Sequence, residues 1–320
     1  MNVWKLRLSM VASLAIIFTL STLVLAIVLS LLQVFDFITL GVIVVAFNIV
    51  QWLISPYIID ALYRVKEIPK NEYPKLHETV QNLSEKSRIK TPKLMLAQIP
   101  IPNAFAYGSP LAGSRIAVTN GLLKTLDDGE VEAVVGHELG HLKHRDVQIM
   151  MFVSLLPALF YYLGYSLMMS SYYGGKREGN NSGAIGMALL AFSMFLSSVC
   201  VTFLSRVREY YADRHSAAVV ENGSQKLSTG LAKIVNATKN MRRFRGNGTQ
   251  NLNAFKALFI ADPDKADLDA TAISTVTATN NQRLVQEILS RELTTADRIA
   301  EIFSTHPNII KRLQALQELS

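Results

Sequence analysis

Four stretches of this chain carry no charged residue: Leu8–Phe35, Phe37–Ile59, Val147–Tyr173 and Ser182–Leu204. Each exceeds the roughly 20 residues that a helix needs to span about 30 Å of hydrocarbon. Inside lipid a chain has to satisfy its own backbone hydrogen bonds, so runs like these have little choice but to be helices. A soluble core helix of such length normally keeps a polar face, and these runs have none. Four transmembrane helices are therefore expected, with Pro157 bending the third without abolishing it. Lys5 and Arg7 ahead of the first run resemble a signal-peptide flank. That run is too long for the apolar part of a signal peptide, and a second follows almost at once, so it reads as a retained anchor.

Basic residues give the orientation. Residues 60–146 hold 12 lysines and arginines, and residues 206–320 hold 16. The link at Asp36 has none, and the 174–181 link has only Lys176 and Arg177. Both termini and both large polar regions are thus expected in the cytoplasm of a multi-pass cell-membrane protein. The same asymmetry accounts for the net charge of +7 without a nucleic-acid partner. The cluster Lys239, Arg242, Arg243 and Arg245 either rests on anionic headgroups or forms a solvated face. The one cysteine, Cys200, lies in the fourth run. That excludes an intrachain disulfide and a cysteine-based zinc site.

The polar regions are patterned differently. Residues 72–88 read as an amphipathic helix. In 91–120 the short apolar runs KLMLA, AFAYG and RIAVT are separated by Pro, Gly and Ser. That texture predicts a small sheet with a hairpin over SPLAGS. Asp127 with Glu130 forms the pattern of a capping box, opening a helix over VEAVVGHELGHLKHRD that either stops or continues into the third apolar run. SRVREYYADRHSAAVV reads as a helix leaving the membrane. The rest is mostly helical in pattern, with breaks at 246–249, 262–264 and 306–307. The acidic stretch 262–269 lacks the glycine and the final glutamate of a calcium loop and is read as a turn.

His137-Glu138-Leu139-Gly140-His141 is the most chemically specific feature. On a helix, residues i and i+4 share one face, so two imidazoles reach one zinc ion with a glutamate beside them. His144 lies about 10 Å from His137 along the same helix and cannot converge with both histidines on that ion. The third ligand must come from elsewhere; Glu209, Asp213, His215, Glu221 and His306 are the candidates. Hydrolytic zinc favours two histidines and a glutamate, leaving one position for water. Glu209 and Asp213 stand at i and i+4. One of them can ligate while the other orients a ligating histidine through its second ring nitrogen.

The segments NAFAYG (103–108), TNGLL (119–123), HELGH (137–141), SRVREYYAD (205–213) and STHPNIIKRLQAL (304–316), together with the four runs, resemble the HtpX-like membrane zinc metalloproteases. That family is related to the integral-membrane prenyl-protein proteases. The resemblance implies one zinc ion per chain held by His137, His141 and Glu209, with Glu138 as catalytic base. It implies a mainly α membrane protein. Four transmembrane helices (two within 8–59, two within 147–204) would carry a cytoplasmic α+β, gluzincin-type protease domain with a small β-sheet, built from 60–146 and 205–320. It also implies cleavage of damaged membrane proteins. Residues 263–303 match nothing expected of the family.

In such a site zinc acidifies water and polarises the scissile carbonyl, while Glu138 carries the proton. The NAFA segment, as an edge strand, pairs with substrate backbone. Asn103 either steadies substrate or the oxyanion, or is a turn residue after Pro102; a second NAF at 253–255 is coincidence. His306 and Arg312 either approach the site, His306 as an oxyanion donor, or serve a helix cap and an ordinary charge pair. Two other functions compete: a prenyl-protein zinc protease, and a non-catalytic membrane chaperone with structural zinc. The latter usually needs four protein ligands, mostly cysteines, which this chain lacks.

Overall fold

The computed structural model describes residues 37–173, 182–197, 202–245, 281–295, 301, 304 and 306–319. The first apolar run, the 174–181 link, Cys200, the breaks at 246–249 and 262–264, the acidic stretch, the second NAF and the side chains of the 239–245 basic cluster lie outside them. In chain order the helices are α1 (Phe37–Tyr63), α2 (Pro74–Ser87), α3 (Asn120–Thr125), α4 (Asp128–Lys143), α5 (Asp146–Tyr173), α6 (Ser182–Leu196), α7 (Thr202–Val219), α8 (Gly223–Arg245), α9 (Asn281–Leu289) and α10 (Ile309–Gln317). The strands are β1 (Val65–Glu67), β2 (Lys93–Ala97), β3 (Ala104–Ser109) and β4 (Gly113–Thr119).

The chain divides into two compact units. One contains 149–203 together with residues up to Trp52. Here α5 runs through Pro157 without a break. It meets α6 at Gly164, where an added Cβ would come within 2.7 Å of the Gly186 carbonyl. Small residues at such a crossing let two apolar helices approach closely. Among the described residues, one helix is long and apolar enough to cross a membrane by length and composition: α1 over Gly41–Tyr63. A shorter apolar helix covers Gly183–Leu196.

The other unit, 53–148 with 204–320, carries the sheet. Strand order is β1-β2-β4-β3, so β3, which begins within the NAFA segment, lies at an edge. β2 and β4 run parallel; the other two pairs are antiparallel. The period-two alternation sorts side chains onto two faces. Leu94, Ala104, Ile116 and Val118 join the large core with α2, α4, α8, α9 and α10. Met95, Ala97, Phe105, Tyr107 and Ala117 pack with Tyr63 and Val65 on the other face. The SPLAGS hairpin forms with Ser109 opposite Gly113, whose φ of 73° a side chain would strain. The three-residue strand β1 has no pattern of its own length in the sequence and was not expected.

The capping box at Asp127 and Glu130 is present in both directions, at 2.9 and 3.0 Å. The helix it opens does not continue into the third apolar run. His144 and Arg145 (φ 54°) interrupt it, and α5 starts afresh at Asp146. The break has a physical use. It frees Asp146 to turn back towards α4 rather than point along it.

Candidate metal centre

The HELGH residues occupy the last two turns of α4, buried against α7. Glycine makes that contact possible. A Cβ at Gly140 would sit 2.9 Å from the Cα of Ala212, and one at Gly136 would crowd Val220 and Ser216. Ser216 Oγ donates to the Ala133 carbonyl across the same seam, at 2.6 Å. An exposed helical glycine gains about 1 kcal/mol on replacement by alanine. Gly140→Ala is expected to reverse that sign and cost about 1–3 kcal/mol by forcing the helices apart. Thermal unfolding in detergent measures it, and a stabilised variant would contradict the close approach.

The seam brings His137, His141 and Glu209 together, with ligand atoms all within 4.8 Å of one another. The two Nε2 atoms are 3.2 Å apart. Glu209 places Oε2 3.6 Å from His137 Nε2 and Oε1 3.5 Å from His141 Nε2. Tetrahedral zinc with nitrogen ligands at roughly 2.0–2.1 Å would separate two of them by about 3.3 Å. The opposite ring nitrogens each face a carboxylate. Asp213 Oδ1 lies 2.8 Å from His137 Nδ1, and Asp146 Oδ2 lies 2.6 Å from His141 Nδ1. A carboxylate on Nδ1 fixes the tautomer that leaves the Nε2 lone pair free. Both lone pairs then face one point, and the donor set fits zinc.

Charges around this point are tightly balanced. Burial pushes the Glu209 carboxyl up, but His306, His137 and Arg312 outweigh it and hold it well below the usual range. Burial likewise opposes ionisation of Asp213, and the Arg312 guanidinium holds it ionised. Arg312, 1% exposed, donates from Nε and Nη2 to the two oxygens of Asp213 at 2.9 and 2.6 Å. Its Nη1 lies 3.2 Å from Glu209 Oε2. Burial alone would lower the pKa of His137, yet Asp213 and Glu209 lift it to about 9. Glu138 stands apart: buried, it is pushed above the ordinary carboxyl range by desolvation, against the pull of the two imidazoles. The Ala106 backbone on the edge strand hydrogen-bonds it.

Of the other expected residues, His306 comes to the centre, with Nδ1 3.5 Å from Glu209 Oε2. Pro307 and the Asn308 cap, which accepts from Ile310 N–H at 2.9 Å, open α10 so that Arg312 points inward one turn later. Asn103 is buried just before β3, its N–H donating to Thr119 Oγ1 at 2.9 Å. His215 does not join the centre; it bonds Ser87 Oγ at 2.9 Å, and burial lowers its pKa to about 4. His144 is exposed and ends α4, its N–H donating to the Gly140 carbonyl. Asp146, with Arg208 Nε 3.0 Å from it, was missed in the sequence. Each zinc-binding histidine needs a partner on its second nitrogen. The Glu209–Asp213 pair offers a partner for one histidine, and an aspartate five residues after His141 is the sequence signal for the other.

A family model described as peptidase family M48 matches residues 70–320, which include every residue of this centre. A protease HtpX homolog of Thermoplasma acidophilum is 38% identical over 277 residues, covering 85% of this chain and 82% of that one. The protease HtpX homolog 2 of Saccharolobus solfataricus is 40% identical over 283 residues, covering 85% and 83%. The crystal structure of S. mikatae Ste24p shares the fold, with a TM-score of 0.55 at 16% identity, over 98% of this chain and 66% of that chain. The resemblance read from the motifs is thus borne out over most of the sequence. With its histidine pair, glutamate and edge strand all inside the matched region, the chain belongs to peptidase family M48 and is a protease of that family.

Proposed function

We propose that this protein is a membrane-anchored, zinc-dependent endopeptidase that degrades misfolded or damaged membrane proteins, with its site facing the cytoplasm. The observation that carries the zinc chemistry is the convergence of two carboxylate-oriented imidazoles and Glu209, with the buried Glu138 beside them. His137, His141 and Glu209 hold the ion. When bound, zinc supplies Lewis-acid polarisation of a carbonyl and lowers the pKa of water to about 7. Asp213 and Asp146, each on the Nδ1 side of a ring, orient the imidazoles so that Nε2 faces the ion. Glu138 takes the proton of the attacking water as its oxygen bonds to the scissile carbon. It then delivers that proton to the amide nitrogen as the C–N bond breaks. The raised pKa of Glu138 suits both halves of that transfer.

The outer edge of β3, which pairs with no strand among the described residues, receives substrate backbone, which gives affinity with little demand on sequence. That indifference suits disposal of varied clients. Asn103, just before this strand, steadies substrate, and His306, beside Glu209, donates to the oxyanion. The length and composition of α1 support anchoring, and the lysine and arginine distribution supports the cytoplasmic side.

Zinc stoichiometry and casein cleavage, measured on detergent-purified wild type and Glu209→Gln, test this reading. The wild type is expected to hold one zinc ion per chain and cleave. Glu209→Gln is expected to lose both properties, because an amide oxygen is a weak substitute for a carboxylate ligand. Full metal content and full activity in the variant would overturn the ligand set.

A further inference from the structure

We infer that the tip of the β3–β4 hairpin, centred on Leu111, dips into the membrane surface beside α1, so that the edge strand β3 leads from the lipid boundary to Glu138. This placement rests on the membrane reading of α1 above and adds to it a second element in contact with lipid.

Three contacts fix the hairpin against α1. Tyr107 Oη donates to Asp60 Oδ1 at 2.6 Å, and Arg115 pairs with the same carboxylate. Two residues further along β3, Ser109 Oγ donates to the Leu53 carbonyl at 3.0 Å. From Asp60 to Leu53 is seven residues of helix, about 10 Å at 1.5 Å per residue. The hairpin therefore points along α1 towards its N-terminal, uncharged end, and Leu111 lies beyond Ser109.

Asp60 marks a boundary. It is the first charge after the apolar run 37–59, and its partner Arg115 lies over the rings of Tyr57 and Tyr107 at 5.4 and 5.9 Å. Tyrosines and snorkelling cations collect where an apolar segment meets the headgroups. On the far side of this layer both elements lose charge altogether: α1 over 37–59 and the hairpin over Gly108–Ser114. There Leu111 is 69% exposed, and on α1 Ile54, Tyr57 and Ile58 are 46–49% exposed. With Ser109 held about 10 Å past the charged layer and Leu111 beyond it, the tip reaches the headgroup–acyl boundary, where amphipathic elements rest.

The hairpin also has few donors to lose. Lipid penalises any unpaired N–H. Pro110 has none, and the Ala112 N–H donates to Ser109 Oγ at 3.2 Å. A lone exposed leucine on a water-facing turn calls for no explanation. This one projects from an uncharged turn, locked to a membrane-length helix on the apolar side of its last charge. Ala106, three residues from Ser109, is the backbone that meets Glu138. A client segment leaving the bilayer at the hairpin thus lies next to the open edge that ends at the metal centre.

The full chain, with Cys200→Ser, is reconstituted into phosphatidylcholine–phosphatidylglycerol vesicles. A single cysteine at position 111, 54 or 128 is labelled with an environment-sensitive fluorophore and quenched by nitroxides on the lipid acyl chains. Asp128, whose side chain is 92% exposed at the start of α4, serves as the aqueous control. Blue-shifted emission and lipid quenching are expected at Leu111→Cys and Ile54→Cys, with neither at Asp128→Cys. Quenching at 54 with position 111 indistinguishable from 128 overturns the hairpin inference and leaves the anchor. No quenching at 54 overturns the membrane reading of α1 and the hairpin with it.

Discussion

Glu138→Gln is expected to retain its zinc and lose peptide-bond cleavage. The exchange keeps side-chain shape and leaves His137, His141 and Glu209 untouched, so metal content should equal that of the wild type. Glutamine oxygen still accepts a hydrogen bond from the Ala106 backbone, so the buried side chain keeps its place. What it cannot do is take a proton. General base and acid assistance contribute roughly 10²–10⁴-fold each time they are used, and in the proposed mechanism Glu138 serves both the attack and the departure of the amine. The loss should therefore appear in kcat, at the upper end of that range or beyond, with KM little altered, because substrate pairing along β3 is unaffected. Casein cleavage by detergent-purified protein, with metal analysis on the same sample, measures both quantities. A variant with full zinc whose kcat stays within about tenfold of the wild type would remove Glu138 as the base.

That experiment isolates a residue whose placement was fully legible in the sequence, because the geometry behind it is local. The i, i+4 spacing on a capped helix puts His137 and His141 on one face whatever the remainder of the chain does. The capping box at Asp127 and the strands of alternating apolar residues are local in the same sense. From spacing alone Glu209 and Asp213 were legible only as a pair, and the resemblance named Glu209 as the ligand. What the sequence did not show is the α4–α7 seam that sets Glu209 beside the two imidazoles, which glycines at 136 and 140 permit. Asp146 escaped because the helix was allowed to run on. A helix break made by Arg145 in a left-handed conformation has no strong sequence signature, since arginine seldom adopts it. The short strand β1 escaped for a related reason: three residues are too few to show a period. Among the described residues α1 alone has the full length and composition of a membrane span. The apolar runs were readable because they depend on composition, whereas the seam that brings His137, His141 and Glu209 together depends on contacts far apart in sequence, such as Ser216 with Ala133, 83 positions apart.

Arg312→Met is expected to be the most destabilising single change in this centre. The guanidinium is 1% exposed and holds both oxygens of Asp213 as well as approaching Glu209. Methionine fills much of the same volume but leaves two buried carboxylates short of their counter-charge. Breaking a buried pair from one side costs about 3–5 kcal/mol, because the remaining charge stays desolvated. For a domain of this size that corresponds to a fall in Tm on the order of 6–20 °C. Arg312→Lys should fall between, since an ammonium keeps the charge but not the two-pronged geometry that meets Asp213. The double variant Arg312→Met with Asp213→Asn should lose less stability than the two single changes added together, because neither charge is then left alone. It should still bind zinc more weakly than the wild type, because His137 loses the carboxylate that orients it. Thermal unfolding of the metal-free proteins in detergent reads the stability terms, and zinc titration reads the affinity. A loss below about 1 kcal/mol for Arg312→Met, the level of an exposed ion pair, would show that Asp213 and Glu209 are neutralised by something other than Arg312.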